Sequence, residues 1–474
     1  MEKVKKKICI VGLGTFGAYL LKRLIEQYGK TIEIIVIEIG DKNTKNEAEI
    51  GLDSIAESTS ASKEGRYFGL GGTSARWGGQ VLFFDERDNP EKNKTWSEII
   101  RINKQYSSCV TQNLLRDGSD FDFEVTNKNI KTGVWLKYNK RNTFKTLTKK
   151  ELKNIKIYQN SRVVDFVMNE NRIERLKCIT DKKDIIDIEA DTFYLTAGAL
   201  ESCRLLLLLQ EKSTFFKNSD LGKNFGDHIS TELFHIKNTK PIINGVDFTP
   251  YFYQGSLITK RMIVKSEDGS IGFLHCIFNK DVKAFKFIKE LLFGKRETSV
   301  SFLEFLGGFV FLFKFTYHLL FKKNLYVSED QWSLQLDIEQ PLPNDNCLSL
   351  VSKKDRYNEA ILKIDWNVSS RDTASIVDIR KQVEGLLKEN NFSYENVYNT
   401  SSINNKVEDV YHPVGFLRLG DDDQAVVDFD GKVKEIDNLY HFSTGIFPTA
   451  KSINPSAAVC CFIEENLNHL NHLK

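Results

Sequence analysis

The 474-residue chain carries almost no net charge: 66 Lys and Arg against 64 Asp and Glu leave +2. That balance gives no argument for nucleic acid as a partner. Its eight cysteines, Cys9, Cys109, Cys178, Cys203, Cys276, Cys347, Cys460 and Cys461, form no C-x-x-C pair. Neither a zinc site nor a disulfide framework is expected, and a reducing compartment is. The basic N-terminus leads into an apolar run that a glycine loop interrupts, with no cleavage site after it. It reads as a first strand and not as a secretory leader, so a cytoplasmic protein is expected. Long apolar runs are also missing. The most apolar stretch, Phe305 to Phe321, is 17 residues long and is broken by Lys314 and His318. A spanning helix needs about 20 mainly apolar residues. Methionine is scarce (3) while phenylalanine is abundant (33), and the phenylalanines cluster. The apolar and charged fractions, 41% and 27%, are those of an ordinary globular protein of two or three domain-sized units.

What the chain has is glycine in telling places. Ile8 to Val11 reads as a short buried strand, Gly12, Gly14 and Gly17 make G-x-G-x-x-G, and Ala18 to Gln27 continues as an amphipathic helix. Strand, glycine loop and helix in that order suit a dinucleotide. One glycine makes the turn, one admits a pyrophosphate, and one lets helix and strand approach. The phosphates would sit at the helix N-terminus, against unpaired N–H groups. A second apolar run, Ile32 to Ile37, ends at Glu38, the expected ribose-binding acid. From these residues NAD and FAD are equally good readings.

Gly40 to Glu64 is polar and reads as an excursion with little structure. Tyr67 to Gln80, YFGLGGTSARWGGQ, is a second glycine-rich stretch, and the Trp77 embedded in it favours ligand contact over a linker. Asp85 to Thr148 is mixed and polar. Ile155 to Leu176 alternates as two strands around a turn, and Ile185 to Leu195 reads as a further strand. That strand ends in Thr196-Ala197-Gly198-Ala199 before a helix, a second place for close backbone approach. Trp332 to Gln340 alternates cleanly as a half-buried antiparallel strand; its polar face is either solvent or the wall of a substrate pocket. Arg371 to Asn390 reads as an amphipathic surface helix. Lys280 to Lys323 holds ten Phe, nine Lys or Arg and four Asp or Glu. It packs on the protein, lies as an interfacial helix pair with basic flanks, or, least favoured, spans a membrane. Near the C-terminus, His412 precedes Pro413 and is therefore held extended. Asn454-Pro455 reads as the cap and first position of a final helix.

Taken in order, these stretches resemble the glucose–methanol–choline family of FAD-dependent oxidoreductases. The matching motifs are VGLGTFG with Glu38, GLGGTSARWGG, TAGALESCRLLL followed by LGKNFGDH, YHPVGFLRLG, and NLYHFSTGIFPTAKSINPSAAV. IEQPLPNDNCLSL resembles the start of the family's substrate-domain sheet. The resemblance implies an α/β fold: a Rossmann-like FAD domain built from residues 1–84, 150–228 and 405–474. A substrate domain with an antiparallel sheet would come from 85–149 and 229–404. It implies FAD contacts from Gly12, Gly14, Thr15, Phe16, Gly17 and Glu38. Further contacts would come from Gly71, Gly72, Thr73, Ser74, Trp77 and Gly78, and from Val163, Ala197, Gly198, Gly445, Ile446 and Pro455. It implies that His412 and Asn454 face the flavin from the substrate side. Members that bind FAD covalently through the second glycine stretch carry His just before the Trp; Arg76 stands here, so FAD is expected to be non-covalent. The usual Asp of the last motif is replaced near Ser443. No metal is expected.

The expected reaction is oxidation of a CH–OH group on a sugar-like or other amphipathic small molecule. His412 would take the hydroxyl proton and a hydride would pass to flavin N5. Asn454 would hold the same oxygen, and the helix starting at Pro455 would aim its dipole at the flavin. Two other readings stand beside it: a non-redox lyase on the same scaffold, and an FAD-containing binding protein at a membrane surface. The Phe/Lys-rich segment 280–323 allows peripheral contact with the inner membrane face.

Overall fold

The computed structural model describes residues 5–56, 65–116, 118, 121, 129–237, 239–279, 302–327, 331–397 and 407–472. Five strands form a parallel sheet in the order Leu439–His441, Thr192–Leu195, Lys6–Val11, Ile32–Ile37, Lys156–Tyr158. The two central strands are continuous apolar runs, Ile8 to Val11 and Ile34 to Ile37, and all eight residues are buried. A parallel strand covered on both faces needs that composition. The helix Thr15–Tyr28 follows the first strand and is tied to the C-terminal helix Ser456–His472. Tyr19 Oη donates to Glu464 at 2.6 Å and Arg23 Nε donates to the same carboxylate at 2.7 Å. The helix Ala199–Lys212 leaves the end of Thr192–Leu195 with its leucines buried.

A three-stranded meander, Ser161–Asn169, Arg172–Thr180 and Ile185–Glu189, stands beside the parallel sheet. The stretch Ile185 to Leu195 is therefore two strands in two sheets and not one. The break falls where the Asp191 carboxylate accepts from the Lys7 backbone N–H at 2.7 Å. A large antiparallel sheet runs Ser393–Asn396, His228–Lys237, Gln331–Glu339, Ile271–Phe278, Ser256–Lys265, Ile130–Trp135, Gln80–Val81. The mixed α/β architecture with an antiparallel sheet is the expected one.

Three local expectations change. The polar face of Gln331–Glu339 is mostly covered: Ser333, Asp337 and Glu339 are buried and Gln335 is half-buried. Gly40 to Ala56 is ordered, with the turn Glu47–Ile50 closed by a reciprocal Asn46/Glu49 cap and the strand Ser54–Ala56 pairing with Ala360–Asp365; residues 57–64 lie outside the described residues. The polar stretch after Asp85 contains a 22-residue helix, Lys94–Leu115, capped by Asn93. The amphipathic helix read at Arg371 to Asn390 is present as Ser370–Glu389, burying Ile376, Ile379, Val383 and Leu387.

Of the Phe-rich segment, residues 280–301 lie outside the described residues. Phe302–Tyr317 is helical and His318–Lys322 closes it as a single π turn. Val310 (64%), Phe313 (74%) and Phe321 (72%) stand exposed on it. No helix among the described residues is long and apolar enough to cross a membrane.

Candidate active site

In an open parallel sheet, a ligand binds beyond the carboxyl ends of the strands, where the strand order reverses direction. Here that point lies between the adjacent strands Lys6–Val11 and Thr192–Leu195, each leading into a glycine turn and a helix. A cleft opens there. Gly12, Gly14, Thr15, Phe16, Glu38, Gly72, Thr73, Trp77, Val163, Ala197 and Gly198 line it. Gly17, Gly71, Ser74, Gly78, Gly445, Ile446 and Pro455 do not line it, nor do His412 and Asn454. Tyr411, Pro413, Thr444 and Ser456, their chain neighbours, do.

The glycines divide by what a side chain would meet. A Cβ on Gly17 would lie 2.0 Å from the Gly12 carbonyl oxygen, and one on Gly12 would lie 2.6 Å from Ala197 Cα. Those two permit close packing of loop, helix and neighbouring strand. A Cβ on Gly14 would meet nothing nearer than Gly72 Cα at 3.9 Å, and one on Gly198 nothing within 4 Å. Those two face open space. Both following helices begin without a side-chain cap, and the first turn of Thr15–Tyr28 holds no acidic residue. A glycine-walled space at an uncapped helix end suits a phosphate.

Glu38 is buried, and its carboxylate accepts from three backbone N–H groups: Leu13 at 2.6 Å, Gly40 at 2.9 Å and Gly69 at 3.0 Å. It staples the first glycine loop to the second glycine stretch. Burial raises its pKa while the three N–H groups oppose the shift. Trp77 is held by its indole N–H, donated to the Arg141 carbonyl at 2.8 Å. Ser74 is fully buried and bonded to the Gly71 carbonyl and Thr143, so it shapes the turn from behind. Gly78 and Gly445 fit against Trp135 and Phe416. Ser443 accepts from the Gly445 N–H and bonds to His441 at 2.7 Å.

His412 is half-buried. Its backbone N–H donates to both oxygens of Asp227, at 2.9 and 3.0 Å, and its Nδ1 lies 3.1 Å from His228 Nδ1. Loss of surrounding water and the neighbouring His228 push its pKa down to about 3, so the imidazole is neutral. No hydrogen bond reaches its Nε2 among the described residues. Asn454 does not cap the final helix. That helix starts at Ser456, and Asn454 Oδ1 instead accepts from Arg261 Nη1 at 3.0 Å. Because guanidinium only donates, the atom facing it is the amide oxygen, and the Asn454 NH₂ is left for another acceptor.

Three contributors escaped the sequence reading. Arg261 is buried with its guanidinium 3.7 Å from the Phe273 ring centroid, and it also donates to the Ser452 carbonyl and Gln80 Oε1. Its pKa falls to about 9 through burial, against the opposing charges of Asp337 and Asp88. Asp88 accepts from the Ser452 N–H and hydroxyl and pairs with buried Lys131. Lys451 pairs with Glu339 at 3.0 Å. Thus the turn 451–454 is pinned from the strands Ser256–Lys265 and Gln331–Glu339 and from Asp88. His228 and Asp227 were in view as the end of LGKNFGDH; only the fold shows that both grip His412.

Residues 343–462, which include His412 and Asn454, match the family model described as GMC oxidoreductase. The chain resembles the GMC oxidoreductases. Its fold agrees. Pyridoxine 4-oxidase from Mesorbium loti is 15% identical, with 99% of each chain covered and a TM-score of 0.59. A formate oxidase is 12% identical, with 99% of each chain covered and a TM-score of 0.59. A variant of the Aspergillus oryzae RIB40 formate oxidase, described for its effect on FAD modification, is 13% identical over 99% of each chain, with a TM-score of 0.58. No curated protein sequence matches the chain significantly. FAD is the cofactor of GMC oxidoreductases, and the residues present fit it. The open space at Gly14 and Gly198, the uncapped helix ends and the Glu38-stapled loops form a cradle that a side chain would fill.

Proposed function

We propose that the protein is an FAD-dependent oxidoreductase that oxidises a CH–OH group, with His412 as the base. One observation supports this most directly: a neutral imidazole with an unengaged Nε2, flanked by two cleft-lining residues, and an amide NH₂ in the same pinned network. FAD would be held non-covalently by the cleft-lining Gly12, Gly14, Thr15, Phe16, Gly72, Thr73, Trp77, Val163 and Ala197-Gly198, with Glu38 bracing the two glycine loops, and it would supply the hydride acceptor. His412 Nε2 takes the hydroxyl proton, the ring being neutral before substrate binds. The Asn454 NH₂ donates to the same oxygen and fixes its distance from the base. On the antiparallel sheet that pins the turn, Ser230 bonds to Asp337 and Gln335, and His275 lies 3.4 Å from Asp337. Asp337 is held well below the usual carboxylate range: burial raises its pKa, but His275, His228 and Ser230 outweigh that. Polar groups on that sheet would suit a hydroxyl-rich substrate, sugar-like or polyol, if it binds on that side of the flavin.

Anaerobic mixing with a panel of alcohols, sugars and lipid-linked sugars tests the reading. Bleaching of the oxidised flavin band with formation of a carbonyl product supports it. Substrate cleavage without bleaching assigns the lyase activity instead, and a protein that purifies with no flavin removes both.

The exposed Val310, Phe313, Leu320 and Phe321, with Lys314, Lys322 and Lys323 among them, support peripheral contact with an anionic membrane surface. Flotation with anionic and neutral vesicles tests this part. Phe313→Ser with Phe321→Ser should abolish flotation with anionic vesicles, and equal flotation of variant and parent would remove the membrane from the account.

A further inference from the structure

We propose that His228 is a positioning residue that fixes His412 in the tautomer with a bare Nε2, through a relay that ends on the Lys451 backbone carbonyl. The proposal deepens the reading of His412 as base and rests on it for its consequence, but not for its geometry.

The hydrogen positions follow from the far end of the relay. His228 Nε2 lies 2.6 Å from the Lys451 carbonyl oxygen. A carbonyl only accepts, so the Nε2 of His228 carries a hydrogen. His228 is completely buried. A neutral imidazole has one N–H, so its Nδ1 is bare and can only accept. That Nδ1 is 3.1 Å from His412 Nδ1. His412 must therefore donate there, and its single hydrogen sits on Nδ1. Its Nε2 is bare, as a base requires. One backbone carbonyl thus sets the protonation pattern of two rings.

The rings cannot easily turn out of this arrangement. His228 meets His412 edge-on with centroids 5.4 Å apart, and it meets Phe273 in the same way on another side. Asp227 clamps the His412 backbone N–H with both carboxylate oxygens and takes the His228 backbone N–H at 2.7 Å. At the end of LGKNFGDH, Asp227 therefore holds the main chain of His412 while His228 holds its ring. Lys451, the relay's terminus, lies three residues before Asn454. The base and the amide are consequently referenced to the same turn.

When substrate is deprotonated, its O–H bond breaks and an N–H bond forms at His412 Nε2. The Nδ1 hydrogen stays where it is, still donated to His228, and no proton has to travel along the relay. The titratable groups facing the pair are Asp337, Asp227, Asp409 and Glu339, with Arg261 and Lys451 opposite and His275 beyond Asp337; burial and Asp409 push Asp227 well above the usual carboxylate range.

Two near-isosteric substitutions separate the relay from simple packing. His228→Asn keeps an acceptor near the position of Nδ1 and gives up the contact with Lys451. His228→Gln keeps a donor toward the Lys451 carbonyl and leaves no acceptor for His412. Uniformly ¹⁵N-histidine-labelled protein, with the His412 signals assigned by their loss in His412→Gln, reports which ring nitrogen is protonated. The expected result is protonated Nδ1 and bare Nε2 in the parent and in His228→Asn, and a proton on Nε2 in His228→Gln. Flavin reduction should follow, with His228→Asn within about 10-fold of the parent and His228→Gln lower by about 100-fold or more at unchanged substrate affinity. A parent His412 carrying its proton on Nε2, or equal rates in the Asn and Gln variants, would overturn the proposal. If no alcohol reduces the flavin of the parent, the oxidoreductase reading fails, while the ring-nitrogen signals still decide the relay.

Discussion

Replacing Arg261 by methionine should separate catalysis from stability. The side chain keeps its length and loses its charge. Three acceptors, Asn454 Oδ1, Gln80 Oε1 and the Ser452 carbonyl, lose their donor, and leaving each unpaired costs about 1–3 kcal/mol. Against this stands the cost of burying the guanidinium. Its pKa, lowered from 12.5 to about 9, corresponds to about 5 kcal/mol of differential stabilisation. The two effects nearly cancel, so Arg261→Met should melt within a few degrees of the parent. Activity has no such compensation, because the Asn454 amide is free to turn its oxygen toward the substrate. One oriented donor is worth on the order of 100-fold or more in rate, and partial loss of orientation should slow flavin reduction by about 10- to 100-fold. Stopped-flow reduction under anaerobic conditions, beside thermal melting of the same samples, measures both. An unslowed Arg261→Met would refute the orienting role. A large drop in melting temperature with loss of flavin would show that the cancellation was misjudged.

Gly14→Ala should fold normally, since its added carbon meets only Gly72 Cα at 3.9 Å, yet purify with at least about 10-fold weaker FAD retention because that carbon enters the cradle; flavin absorbance per protein checks it. Gly12→Ala, with a backbone contact at 2.6 Å and φ of +92°, should instead fail to fold, read as aggregation or loss of a cooperative melt. Glu201 is buried, which raises its pKa, but the charges of Arg204 and Arg162 outweigh this and hold it at about 2 against an ordinary 4.5. A depressed carboxylate stabilises the fold fully above its unfolded pKa, and that contribution disappears as pH falls from 4.5 toward 2. Glu201→Gln should therefore cost about 3 kcal/mol at neutral pH and flatten the denaturant midpoint's dependence across that acid window.

What the sequence makes legible is what depends on neighbours in the chain. Gly12 and Gly17 betray the cradle because turn and close packing are local demands, and His412 before Pro413 is visible for the same reason. Arg261 is invisible in sequence: it is one arginine in a strand, and its partner Asn454 comes from the other end of the chain. The alternation of Trp332 to Glu339 correctly gives a strand, but period alone does not tell a solvated polar face from one buried against Ser230, His275 and Lys451. The helix Lys94–Leu115 escapes because Lys, Gln, Ser and Asn dilute its apolar stripe, although Asn93 as its cap and the spacing of Trp96, Ile99, Ile100 and Asn103 were readable signals. Glu38 stands out as the acid after the second strand, yet its three backbone donors appear only once both glycine stretches are folded together.

The chemistry proposed for this site stands or falls with His412 as the group that removes the hydroxyl proton. Anaerobic flavin reduction by the best alcohol of the panel, in the parent and in His412→Ala, decides it. Equal flavin content is expected, with a reduction rate lower by about 100-fold or more in the variant. Reduction of the variant's flavin at the parent's rate would contradict the assignment.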